Sequence, residues 1–178
     1  TSRCAWRGPR MDRRVALTFD DGPDPEHTPR VLEYLDRERV RGTFFLVGER
    51  AGRAAEVVRA MAAAGHEIGN HTWSHANLWT CGPRRTEAEV RRSHDLLANL
   101  AGRAPRYFRP PWGAVNLAMF GTLRRVGERC VFWSIQPEGL RAAARQGRRR
   151  AGCALRRHGR PVLRRAGGVG CRAHPRAL

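Results

Sequence analysis

Apolar and polar positions alternate between strand-like and helix-like periods through residues 15–133. Val15-Ala16-Leu17-Thr18-Phe19 is a short apolar run that stops at Asp20-Asp21-Gly22-Pro23, the pattern of a buried strand entering a turn. Thr28 before Pro29 reads as the cap and first position of a helix whose face carries Val31, Leu32 and Leu35 and which ends near Arg39. Residues 43–47 form a second strand. A helix follows from about Glu49 through Val57, Val58 and Met61 to a stop at Gly65, and Glu67-Ile68-Gly69-Asn70 then delivers His71 from a third strand.

Thr86-Glu87-Ala88-Glu89 has capping-box spacing and predicts a helix carrying Val90, Leu97 and Leu100 to Gly102. Tyr107-Phe108-Arg109 is a fourth strand cut short by Pro110-Pro111; a helix near Leu117 to Arg125 and the strand Cys130-Val131-Phe132-Trp133 complete the pattern. Repeated strand and helix predict an α/β fold, a parallel sheet or barrel with its site at the C-terminal strand ends.

Charge changes this picture only beyond residue 138. All 34 basic residues of the 178 are arginine, which excludes a Gly-Lys-Ser/Thr phosphate loop. The first 138 residues hold 22 Arg and all 16 acids, whereas the last 40 hold 12 Arg and no acid. The chain therefore divides into a body, residues 1–140, and an arginine-rich segment, residues 141–178. Three readings of that segment compete: a basic arm for nucleic acid, a solvated or disordered extension, and a stretch translated out of its ancestral frame. The abrupt loss of every acid favours the third. The body has no recognised nucleic-acid reader, so no specific nucleic acid is expected as partner.

No run of 18 apolar residues exists, so no transmembrane segment is expected. Thr1 to Arg10 holds three Arg and no apolar stretch, so no signal peptide is visible. Cys4, Cys81, Cys130, Cys153 and Cys171 lie too far apart for a Cys-x-x-Cys motif and are odd in number, which favours reduced or incidental thiols.

Three polar groups recur at strand ends: Asp20-Asp21, His71-Thr72-Trp73-Ser74-His75, and Arg109-Pro110-Pro111-Trp112-Gly113. Each alone has a bland reading, as a turn, a pair of solvated histidines or a surface charge. Together, at successive strand ends, they point to one site. Two histidines and a carboxylate are a zinc ligand set that leaves a position for water. The spacing His71-x-x-x-His75 would put both imidazoles on one side of a helical turn. Thr72 stands where a zincin protease requires Glu, so the base must come from elsewhere, and Asp20 is the available candidate.

Thr18-Phe19-Asp20-Asp21-Gly22-Pro23, Gly65-His66-Glu67-Ile68-Gly69-Asn70-His71-Thr72-Trp73-Ser74-His75 and Arg109-Pro110-Pro111-Trp112-Gly113 resemble, in order and spacing, the first three motifs of the polysaccharide deacetylase family, the NodB homology domain of carbohydrate esterase family four. The resemblance covers residues 15–140. It implies a distorted (β/α) barrel that removes acetyl groups from N-acetylated sugar polymers with a divalent metal, Zn2+ or another such as Co2+. In that pattern Asp20 matches the general base, Arg109 the group that orients it, and Asp21, His71 and His75 the metal ligands. The backbone N–H of Trp112 matches an oxyanion donor, with Trp replacing the family's usual Tyr. Family habit also favours the cell envelope or exterior.

The chain departs from the family after Trp133-Ser134. Gln136 and Gly139 stand where acids are expected, so the carboxylate partner of Arg109 is either missing or supplied by Glu138, while Leu140 still offers an apolar wall. Trp133, like Trp73 and Trp112, has two readings, a face for a pyranose ring or a core side chain. The fifth motif, a strand ending in the His that protonates the departing amine, is not recognisable; His158 and His174 follow no strand-like run. The barrel is thus expected to be incomplete at its C-terminal end. Two activities follow: a deacetylase of amino-sugar polymers, or a truncated or frame-altered relative that binds metal or glycan with little or no turnover.

Overall fold

A computed structural model describes residues 4–5 and 15–135. Leu140, Gln136, Glu138, Gly139, His158, His174 and the whole arginine-rich segment lie outside the described residues.

Among the described residues, six strands form one sheet: β1 (Cys4–Ala5), β2 (Thr18–Phe19), β3 (Thr43–Leu46), β4 (Glu67–Asn70), β5 (Tyr107–Phe108) and β6 (Arg129–Val131). Their order is β1-β6-β5-β4-β3-β2 and every pairing is parallel. Helices α1 (His27–Arg37), α2 (Gly48–Arg53), α3 (Ala55–Ala63), α4 (Pro83–Ala101) and α5 (Leu117–Val126) connect successive strands from β2 onward. The sheet curls into a partial (β/α) barrel, as the alternation predicts.

Two apolar clusters hold helices to sheet. Leu35 of α1, Val58 and Met61 of α3 and Leu97 of α4 pack on Phe44, Leu46 and Ile68 of β3 and β4. Val90 of α4 and Met119 and Leu123 of α5 pack with Leu78 on Phe108 and Cys130 of β5 and β6. Each such fully buried side chain contributes roughly 1.5–3 kcal/mol before conformational entropy is subtracted. Helix α4 joins the two clusters because its inward positions Thr86, Glu89, Val90, Ser93, Leu97 and Leu100 follow the helical period.

Several local expectations need correction. The helix expected from Glu49 to Gly65 is two helices, because Ala54 breaks it at φ −127° and ψ 47°. Helix α4 begins at Pro83 after the cap Gly82, so Thr86 is no cap; its buried hydroxyl accepts from Asn116 Nδ2 at 2.9 Å. Helix α1 likewise starts before Thr28. Asp24 Oδ1 accepts the N–H groups of Glu26 and His27, and the Thr28 hydroxyl accepts the N–H of Asp24. Strand β1 was not expected, since two residues are too few to show a period; it pairs with β6.

Candidate metal centre and active site

Strand β2 ends at Phe19, and the next two residues separate. Asp21 takes a left-handed backbone, φ 70°, ahead of the turn at Gly22-Pro23, so the two carboxylates escape strict strand alternation. Arg50 of α2 fixes that turn by donating from Nη1 to the Asp21 carbonyl at 2.7 Å. Asp20 meets Arg109, and Asp21 meets the histidines.

Asp21 Oδ1 lies 2.8 Å from His75 Nε2 and 3.3 Å from His71 Nε2. One ligand atom from each of the three residues falls within 4.8 Å of the others. Two ligands of one tetrahedral ion stand roughly 3.4 Å apart at bond lengths of about 2.1 Å, so this set fits a single divalent cation. The carbonyl of Arg109 accepts from Nδ1 of His71 at 2.5 Å, which assigns the proton to Nδ1 and leaves Nε2 as the atom able to take a metal. Contact with His71, and then the charges of His75 and Arg50, hold the Asp21 carboxyl below its ordinary range. Burial outweighs the attraction of Asp21 and pushes the His75 imidazole down. The lowered His75 imidazole favours the neutral form that binds metal.

The loop that carries the two histidines is not helical. Thr72 and His75 both have positive φ, 67° and 58°, so the expected helical turn is replaced by a strained loop that aims each imidazole separately. That conformation is held from three sides. The Asn70 side chain accepts the N–H of Thr72. Backbone N–H groups of Gly48 and Glu49 at the start of α2 donate to the carbonyls of Thr72 and Trp73. The carboxylate of Glu89 accepts from the N–H groups of Trp73 and Ser74 and from the Ser74 hydroxyl, at 3.0, 2.8 and 2.7 Å.

Arg109 follows β5 directly, with a side chain only 2% exposed. Its guanidinium donates to Asp20 Oδ1 at 2.6 Å, to the Thr18 hydroxyl at 2.8 Å and to the carbonyls of Val131 and Phe132. Its Cζ lies 4.1 Å from the Phe45 ring centroid. Phe45 can sit there because its register partner is Gly69: a Cβ at that position would come within 2.5 Å of the Phe45 ring.

Trp112, in a 3₁₀ turn at φ 53°, is 65% exposed and packs edge-on against His75 with ring centroids 4.4 Å apart. Trp133 is half-buried and 5.9 Å from the guanidinium of Arg109. Trp73 instead carries Arg92 at 3.6 Å and abuts Gly48, a packing role. A cleft of about 230 Å³ opens beside Asp20 and Asp21, lined also by Asp24, His27 and Arg50.

The fold gathers Asp20, Asp21, His71, His75, Arg109, Trp112 and Trp133 as the motifs predict, and Leu140 lies outside the described residues. Thr18, Asn70 and Glu89 support this group without being predicted to. Glu89 carried a signal, an acid on the inward stripe of an amphipathic helix, which is costly unless paired.

Residues 7–131 match the polysaccharide deacetylase family. A peptidoglycan-N-acetylglucosamine deacetylase of Bacillus cereus is 44% identical over 111 residues, 62% of this chain and 40% of that protein. A chitooligosaccharide deacetylase of Bradyrhizobium is 39% identical over 126 residues, 70% of this chain and 58% of that one. The crystal structure of a peptidoglycan N-acetylglucosamine deacetylase superposes with a TM-score of 0.70 at 38% identity, covering 72% of this chain and 60% of that chain. The chain therefore spans only about 40–60% of these relatives' lengths. Motifs, fold and site agree, and the chain belongs to the polysaccharide deacetylase family.

Proposed function

We propose that this chain is a metal-dependent hydrolase that removes acetyl groups from N-acetylated amino-sugar polymers, of the peptidoglycan or chitin type. The observation that supports the reading is a cluster of Asp21, His71 and His75 able to hold a cation, next in sequence to a carboxylate, Asp20, that a buried arginine holds. The donor mix of one carboxylate and two imidazoles suits Zn2+, and Co2+ accepts the same set. When bound by Asp21, His71 and His75, the ion would polarise the acetyl carbonyl and make water a stronger nucleophile near neutral pH.

The chain's own residues supply the rest. Arg109 occupies Asp20 Oδ1, so Oδ2 is the atom left to take a proton from the attacking water. The four acceptors around the guanidinium keep that pair from rotating away. The backbone N–H of Trp112 would face the developing oxyanion. The faces of Trp112 and Trp133 would pack on the sugar ring and exclude water.

The departure at Gln136 and Gly139 favours a second reading, a relative that binds metal or glycan but turns over poorly. Acetate release from N-acetylglucosamine oligomers and peptidoglycan by zinc- or cobalt-loaded protein decides between them. Metal-dependent release establishes the first; folded, metal-loaded protein that releases no acetate establishes the second.

A further inference from the structure

Asn70 ends β4 immediately before His71 and is fully buried. Its Oδ1 accepts the N–H of Thr72 at 3.0 Å. Its Nδ2 donates to the carbonyl of Val90 on α4 at 3.0 Å and to both carboxylate oxygens of Glu128, at 3.0 and 3.2 Å. Glu128 sits just before β6 with a side chain 0% exposed, and its Oε1 lies 2.7 Å from Nδ1 of His94 on α4. One connected set of hydrogen bonds therefore runs from His94 through Glu128 and Asn70 to the loop that carries both metal-ligand candidates. Neither His94 nor Glu128 falls in any of the motifs that mark the site.

A carboxylate in this position needs a reason. Well-packed apolar residues serve a core at least as well as a buried ion pair, whereas removing one partner of such a pair is strongly destabilising. The loop supplies the reason. Thr72 and His75 hold left-handed backbone that non-glycine residues keep only when their surroundings dictate it. Asn70 dictates it at Thr72, and Asn70 can hold its amide in one orientation because the two Glu128 oxygens share one of its N–H groups and the Val90 carbonyl takes the other.

We propose that Glu128, fixed by His94, is a positioning residue for the metal centre: acting through Asn70, it sets the turn at Thr72 that aims His71 and His75 at Asp21, and thereby sets divalent-metal affinity. This rests on the metal reading of the Asp21, His71 and His75 site given above. Partners of this kind behind a ligand change metal affinity about 10- to 100-fold when removed.

The test is zinc affinity by competition with a chromophoric chelator, together with the Co2+ absorption spectrum, on the full chain and on Glu128→Ala, Glu128→Gln, His94→Gln and Asp21→Ala. Circular dichroism checks the fold of each. Folded Glu128→Ala is expected to bind zinc about 10- to 100-fold more weakly and to show an altered cobalt spectrum. Glu128→Gln keeps an oxygen for Asn70 and an amide for His94, so it should stay within a few-fold of wild type. Folded Glu128→Ala with wild-type affinity and spectrum overturns the proposal. If Glu128→Ala does not fold, His94→Gln, altered at the partly accessible end, decides: weakened zinc binding supports the proposal and unchanged binding overturns it. Asp21→Ala that binds zinc as wild type does would instead overturn the metal reading itself, whatever the Glu128 variants show.

Discussion

Arg109 donates to the Asp20 carboxylate at 2.6 Å across 89 residues of sequence, and it does so from a side chain that is 2% exposed. Asp20 is 32% exposed, so the pair has one buried and one accessible member. The arginine is committed to structure, and the carboxylate keeps an edge toward solvent.

Arg109→Lys therefore cannot be conservative. A single ammonium lacks the planar fork that reaches Asp20, Thr18 and two carbonyls together, and its loss leaves buried acceptors unpaired. We expect a stability loss of about 2–4 kcal/mol in urea denaturation and a fall in turnover larger than any rise in KM. Unchanged stability with unchanged turnover would show that the guanidinium geometry is dispensable.

Gly69→Ala tests how strand packing reaches the site. The added methyl would meet Phe45, whose ring carries the Arg109 guanidinium. Overpacking of this kind costs about 1–3 kcal/mol, and the displaced ring should disturb Asp20 through Arg109. A thermal melt and a turnover assay on the same protein should both register the change.

Glu89→Ala strips three donors of their acceptor at Trp73 and Ser74. The expected cost is at least about 1–3 kcal/mol, with weaker zinc binding because the ligand loop loosens. Glu89→Gln keeps one oxygen and should fall between wild type and the alanine variant in both chelator competition and denaturation.

His94 and Glu128 predict a pH dependence. The hydrogen bond to Glu128, against burial and with help from Asp95, raises the His94 imidazole above 6.5, while Arg91 opposes it. Burial pushes the Glu128 carboxyl up as well, so the folded pair holds protons more tightly than the unfolded chain does. The stability that His94 contributes is complete below about pH 6.5 and is lost as pH rises through its higher folded pKa. Urea denaturation of metal-free wild type and His94→Gln should show a gap in midpoint that is widest near about pH 6 and shrinks above that pKa. A gap that widens with pH would contradict the assignment.

Much of the fold and site was legible in the sequence for local reasons. Apolar runs ending in Asp20, His71 and Arg109 place their chemistry at strand ends, and the three motifs carry the family in consecutive residues. What escaped was set by contacts distant in sequence. Thr18, Glu89 and Glu128 reach Arg109, Ser74 and Asn70 across the fold, and no local period marks those meetings. The i, i+4 spacing of His71 and His75 suits a helical turn; the N–H acceptors that hold the loop in its left-handed turns instead come from Asn70 and Glu89. Ala54 broke a helix whose apolar period runs on unbroken through the sequence.

The division of labour between adjacent aspartates is the centre of the account, and paired zinc-binding and acetate-release measurements on Asp20→Asn and Asp21→Asn test it most directly. Asp20→Asn should bind zinc as wild type does and lose on the order of 10²- to 10⁴-fold in turnover, because only the proton acceptor is gone. Asp21→Asn should lose zinc and activity together. Zinc lost from Asp20→Asn and retained by Asp21→Asn would reverse the two roles, and full turnover by Asp20→Asn would remove Asp20 from the chemistry.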